Sequence, residues 1–350
     1  MRNTSQFLAI DSGRGLPHSK TLARIRAFSE TPPGFGVRQS SAAFDLATFA
    51  LVVWALVIPV ATNAATSGKV FPRPEDAVAE LRTATATRDT QALRTLFGPA
   101  VDELQNPDRV QATNDLETFH AALMATNQLL RVSATNIVIE VGEDLWPFPI
   151  PLVKESAGWH FDTEAGLDEI ITRRIGRNEL DVLKSMRAYV DAQREYASQD
   201  RDGDGVLEYA QRLDSSAGKT DGLYWPTELN GEESPLGPMV AQAQEEGYSL
   251  TKNTGANLEP QPFHGYYFKI LTRQGKHAPG GKYEYVINGN MIGGFAMVAW
   301  PAEYGDSGIM TFIVNQQGRV QQKDLGEQTS KIARKMTEYD PDPSWRVSLE

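Results

Sequence analysis

This 350-residue sequence predicts an α+β protein of two domains, each a group of helices followed by an antiparallel sheet. Three observations lead there. Apolar residues recur at three-four spacing over residues 74–97 and 115–130, then give way to short runs from Ile137 onward. A second three-four stripe, from Leu167 to Tyr196, precedes a further series of short apolar runs punctuated by Gly, Pro and Asn. Hydrophobic residues make up 41% and charged residues 23%, so the chain can bury real cores.

The first element is a leader. Residues 46–61 are uncharged and strongly apolar, Pro59 breaks their helical potential, and the small residues Thr62, Asn63 and Ala64 follow. That run is short for a membrane span of about 20 residues and suits the core of a signal peptide. Cleavage after Ala64 is expected, with an uncleaved anchor as the competing reading. Residues 1–36 are too long for an ordinary positive region, and a start at Val37 would leave Arg38 as its charge. The leader therefore covers 1–64, and the mature protein is expected to be periplasmic or secreted with no stable membrane span.

The first domain is assigned to 65–175. Pro74 followed by Glu75 and Asp76 suits a helix start. Ala77, Val78, Leu81 and Ala84, then Leu93, Leu96 and Phe97, make two short helices separated at Arg88-Asp89-Thr90. A third is expected from Asp115 to Leu129. Ile137-Val138-Ile139 reads as a strand. Trp146 to Val153 reads as an edge strand interrupted by three prolines, and Trp159-His160-Phe161 as the next strand.

The second domain is assigned to 176–350, with Gly176 as the break. Its long helix carries Leu180, Leu183, Met186, Tyr189, Val190, Gln193 and Tyr196 on one stripe and should end near Ser198. Strands are expected at 266–272, 282–287, 295–301, 310–314 and 319–323, with a last helix at 329–336.

Charge and composition exclude several functions. Beyond residue 64 there are 28 basic against 42 acidic residues, so nucleic acid is repelled and anionic lipid disfavoured. No cysteine is present, which removes thiol nucleophiles, zinc-thiolate sites and disulfides.

One segment points to a cation. Asp200-Arg201-Asp202-Gly203-Asp204-Gly205-Val206-Leu207-Glu208 places carboxylates at alternate positions and a glycine at the sixth, as in the first half of a calcium loop. A hard cation wants several oxygens, and Gly205 permits the bend that turns Asp200, Asp202 and Asp204 toward one centre. The Val206 carbonyl and Glu208 complete the expected Ca²⁺ ligands. Gln211 holds the twelfth position, where a bidentate Glu is usual, so weakened binding is expected. A plain Asp/Gly-rich turn is the competing reading.

Catalytic signals are weak. Gly305-Asp306-Ser307-Gly308 resembles a serine-protease nucleophile motif, yet Ile309-Met310 follows it and no matching histidine segment precedes it. His120, His160, His264 and His277 show no metal-pair spacing, and the Gly275–Lys282 segment lacks a phosphate-loop pattern. The expectation is a non-enzymatic binding or structural module with an envelope protein or small ligand as partner. The alternative is a hydrolase acting on an envelope polymer or carbohydrate through carboxylates such as Asp200, Glu208, Glu284, Glu303 or Asp306. An inhibitor or chaperone-like role is a third.

Several words occur in order: Trp146-Pro147-Phe148-Pro149-Ile150-Pro151, Ile175-Gly176-Arg177-Asn178-Glu179-Leu180, Asp204-Gly205-Val206-Leu207-Glu208-Tyr209, Ala278-Pro279-Gly280-Gly281 and Met291-Ile292-Gly293-Gly294-Phe295. Together they resemble the bacterial DUF2950 family over about 71–345. That resemblance implies export and no particular activity. At the level of element order, the first half is also similar to NTF2-like or cystatin-like folds and the second to pilin-type headgroups, without a prepilin start.

Overall fold

The computed structural model describes residues 68–229, 231–249 and 261–348. The leader and its cleavage point lie outside the described residues. Among those described, runs of helix are followed by runs of strand in antiparallel sheets, as in an α+β protein.

The chain opens with α1 (Pro74–Thr87) and α2 (Thr90–Phe97). Arg88 leaves the helix at φ 51°, and the Asp89 carboxylate accepts the N–H groups of Gln91 and Ala92. This residue trio thus ends one helix and caps the next. Helix α3 (Arg109–Ala125) starts under the Asp108 carboxylate and stops four residues before its expected end. The Asn127 side chain takes the Leu123 carbonyl at 2.9 Å, and the backbone turns into β1 (Asn127–Arg131). Leu129 and Leu130, read as the end of a helical stripe, instead pair with β2 (Asn136–Val141).

β2 alternates as a half-buried strand should, with Ile137, Ile139 and Val141 inward. The proline run yields two short strands, β3 (Trp146–Pro147) and β4 (Leu152–Glu155), because proline cannot donate to a ladder. β5 (Gly158–Phe161) pairs with β4, giving the order β1-β2-β4-β5 with β3 alongside β2. Helices and sheet enclose one cluster around Leu81, Leu96, Leu123, Ile139 and Phe161.

Helix α4 (Thr163–Tyr196) runs unbroken through Gly176 for 34 residues. No proline interrupts it, and a Cβ at Gly176 would meet nothing within 4 Å. Its buried stripe also differs from the expected one: Leu180 is 60% exposed, while Arg174 and Asn178 are buried. Beyond Val182 the stripe is apolar except for Gln193 and joins a second cluster with Trp225, Tyr266, Phe295 and Phe312.

The second sheet follows α5 (Gly237–Glu245), a helix with Pro238 in its first turn, within a stretch read as loops. Its strands are β6 (Tyr266–Leu271), β11 (Ala296–Pro301), β12 (Met310–Asn315), β13 (Gln321–Asp324) and β14 (Arg346–Val347), in the antiparallel order β14-β13-β12-β11-β6. Two small ribbons lie between β6 and β11: β7 (Arg273–Gln274) with β8 (Tyr283–Glu284), and β9 (Val286–Ile287) with β10 (Asn290–Met291). Every residue of β11 is buried, so side chains cover both faces, and α6 (Thr329–Lys335) packs against it. Among the described residues, no helix is long and apolar enough to cross a membrane.

Candidate metal centre

Helix α4 delivers the chain to the acidic loop. Tyr196 is its last residue, and its hydroxyl donates to the Thr220 carbonyl at 3.1 Å. Burial and the carboxylates of Glu208, Asp202 and Asp221 push that hydroxyl up to about 12.

The loop then folds on its own aspartates. The Asp200 carboxylate accepts the N–H of Gly203 at 2.8 Å and of Gly205 at 2.9 Å. Asp204 accepts the Val206 N–H at 2.8 Å through one oxygen and the Asn290 amide at 2.7 Å through the other. Gly203 and Gly205 stand at φ 76° and 85°, the left-handed region that a side chain disfavours. Nothing within 4 Å would obstruct a Cβ at either position, so backbone conformation rather than space selects glycine.

This geometry gathers three carboxylates. One oxygen each from Asp200, Asp202 and Asp204 lies within 4.8 Å of the others, and all three residues are exposed. The N–H groups of Gly205 and Gly203 hold the Asp200 carboxyl below the usual carboxylate range. Three ionised groups so close repel one another, and a cation placed among them would relieve that repulsion. The donor set is all oxygen, which suits a hard divalent ion.

The remaining residues of the motif make other bonds. Glu208 accepts the Met291 N–H at 2.9 Å, and burial, helped by Asp202 and Asp204, raises its carboxyl above the ordinary value. Gln211 donates to the Gly289 carbonyl at 2.5 Å, and Tyr209 bridges to Met291. The second half of the motif is therefore stitched to the β9–β10 ribbon, together with the Asp204–Asn290 bond. Asparagine and glycine at 288–290 form a turn in the sequence, but nothing in their spacing announces this attachment.

The protease-like motif is a turn. Ser307 is fully buried, and its hydroxyl donates to the Glu303 carbonyl at 3.1 Å and accepts the Glu303 N–H at 3.0 Å. Asp306 forms an ion pair with Arg174 at 2.6 Å. The histidines are dispersed among separate partners. His120 contacts Thr85, His264 lies 3.3 Å from Glu246, and His277 binds Asp340 at 2.9 Å.

Arg174 and Asn178 belong to a buried polar seam that the sequence stripe did not reveal. Arg174 also donates to the carbonyls of Leu104 and Gln105. Asn178 accepts from the Gln111 amide and donates to the Ser307 carbonyl, both at 2.8 Å. Asp108, 1% exposed, accepts from Gln111 N–H, from the Tyr248 hydroxyl at 2.8 Å and from Gly265 N–H at 3.1 Å. Burial, then the Asp108 bond, drives the Tyr248 hydroxyl far up, so it remains a donor. Gly265 packs so closely on Asn178 that a Cβ would lie 2.4 Å from its amide nitrogen.

No curated protein and no solved structure matches, so the likenesses to NTF2-like folds and pilin headgroups rest on element order alone. The family described as "Protein of unknown function (DUF2950)" matches residues 68–348, the span that holds both the acidic loop and the buried seam. The chain belongs to the DUF2950 family.

Proposed function

We propose that this is an exported, non-enzymatic binding or structural module of the cell envelope, periplasmic or secreted, whose Asp200–Asp204 loop takes a calcium ion. One observation carries the reading: how its carboxylates are engaged. Three converge at an exposed loop without a base or nucleophile bonded to them. Three of those named for a hydrolase are held by separate structural partners. Glu208 binds a backbone N–H, Asp306 pairs with Arg174, and Glu284 lies 3.8 Å from Arg273. A carboxylate hydrolase needs two such groups about 5–10 Å apart across a cleft.

The ion would brace the loop and, through Asp204 and Glu208, the β9–β10 ribbon. With Glu208 and Gln211 bonded elsewhere, few strong ligands remain beyond the three aspartates. Affinity should fall in the range of extracellular calcium modules, about 10⁻⁴–10⁻³ M. Titration calorimetry with calcium should give saturable heat that Asp202→Ala abolishes. Absence of heat at millimolar calcium would remove the ion from the proposal. Export is tested separately by intact mass of protein recovered from envelope and medium, which should begin at Ala65. Material still carrying residues 46–61 in the cytosolic fraction would refute the address.

A further inference from the structure

Between α4, α5, β6 and β11 lies a cavity of about 180 Å³ that none of the loop chemistry uses. Its floor consists of buried Tyr189, Leu236, Val240 and Met297. Its rim is half-buried and built from Tyr224, Met239, Phe263 and Phe268 among others. Ser185 and Asp214 bring the polar side chains to the wall, apart from the tyrosine hydroxyls. The Ser185 hydroxyl already donates to the Asp181 carbonyl at 2.9 Å. The Tyr189 hydroxyl donates to the Ala296 carbonyl at 3.2 Å and accepts from the Gln193 amide at 3.1 Å.

Water in such a space finds few partners, whereas an apolar guest gains contacts with both floor and rim. Size sets the guest. An apolar cavity of about 150 Å³ admits a benzene ring, while drug-sized ligands need about 300 Å³ or more. Polarity sets it further, because a mostly apolar wall cannot replace the water that a charged guest gives up on entering. Two methionines adapt the shape, and aromatic faces offer stacking.

We propose that this cavity binds one neutral, ring-sized apolar molecule, a monocyclic hydrocarbon with at most a small uncharged substituent. The inference deepens the binding-module reading and rests on it, although the residues that carry it are not those of the calcium loop.

Toluene is the probe, titrated into the full chain with ligand-observed NMR and thermal unfolding as readouts. Saturable binding and a raised Tm are expected, and benzoate should bind more weakly by about tenfold or more, the effect of about 1.4 kcal/mol. Met239→Trp puts an indole into the space and should weaken toluene by about tenfold or more. Val240→Ala enlarges the space and should shift preference toward naphthalene, which keeps the idea testable if the first variant does not fold. No saturable toluene binding, equal binding by folded Met239→Trp, or benzoate binding as well as toluene would each overturn the assignment. Calcium heat would persist through any of these failures, so the cavity and the module reading fail separately.

Discussion

The carboxylates of the acidic loop and those of the buried seam meet opposite electrostatic problems. Asp200, Asp202 and Asp204 are exposed and crowd one another, with backbone N–H groups and one asparagine as partners. Asp108 is withdrawn from water and Asp306 partly so, and each has a dedicated donor set of tyrosine, glycine N–H or arginine. Water surrounds the first group, so its carboxylates can stay ionised without a dedicated partner for each oxygen. The second group has no such shelter, so its partners must be built in. Excess charge on the surface is available for binding; charge in the interior holds elements together.

The sharpest way to break that contrast is Arg174→Met. It leaves Asp306 without its arginine and two carbonyls, Leu104 and Gln105, without their donor. Removing one partner of a fully buried pair costs about 3–5 kcal/mol, and with Asp306 16% exposed the low end, about 3 kcal/mol, is the loss that urea unfolding should register. Adding Asp306→Leu should recover part of the loss, because two apolar residues do not strand a charge. A loss under about 1 kcal/mol would mean that the pair behaves like a surface bridge, and the distinction between loop and seam would collapse.

Asn178→Ala tests the neutral part of the seam. It strands the Gln111 amide and the Ser307 carbonyl while removing a side chain with no exposure. Two orphaned groups without a net charge should lower the unfolding free energy by about 2 kcal/mol, less than the arginine. An equal or larger loss than Arg174→Met would show that charge is not what makes the seam costly to disturb.

The two regions were also unequally legible in the sequence. The loop could be read because its chemistry is local: Asp200 to Gly205 contains both the ligands and the glycines that turn them. Even there, the attachment of Glu208 to Met291 and of Gln211 to Gly289 spans 83 and 78 residues, and spacing carries no sign of it. The seam was invisible for the same reason. Asn178 sits where a three-four stripe predicts an apolar residue, and its partners are 67 and 129 residues away. Three-four spacing puts Leu180 on the buried stripe, yet it is 60% exposed, because the face belongs to whichever residue finds a complement. The long helix, the strands at 137–139 and 159–161 and the last sheet were readable because apolar periodicity reports burial directly. Strand β1 was missed because two adjacent leucines fit a helix as well as a strand, and the Asn127 cap decided between them.

The smallest effect sharpens the boundary between the regions, because Glu208 stands on it: half-buried, bonded to a backbone N–H and close to the exposed aspartates. Its folded carboxyl is raised, chiefly by burial, so the protonated form is favoured in the native state. The sign follows. As pH climbs through the unfolded glutamate range, the unfolded chain releases the proton more readily, and the destabilisation from this residue grows until pH exceeds its raised folded value and stays constant above it. Asp200 acts in reverse: its lowered carboxyl adds stability above the unfolded aspartate range and loses it as pH falls through the folded value. Glu208→Gln keeps an acceptor for Met291 and removes only the Glu208 contribution. In calcium-free buffer its stability relative to the parent should therefore rise as pH passes from the acid side through the glutamate range, then level off. Solvent screening holds the gain below about 1 kcal/mol. Calcium should shrink or reverse that gain, since the ion would stabilise the ionised carboxylate that the empty loop disfavours. A pH-independent difference between Glu208→Gln and the parent would mean that Glu208 feels neither burial nor its acidic neighbours, and that the loop ends electrostatically at Asp204.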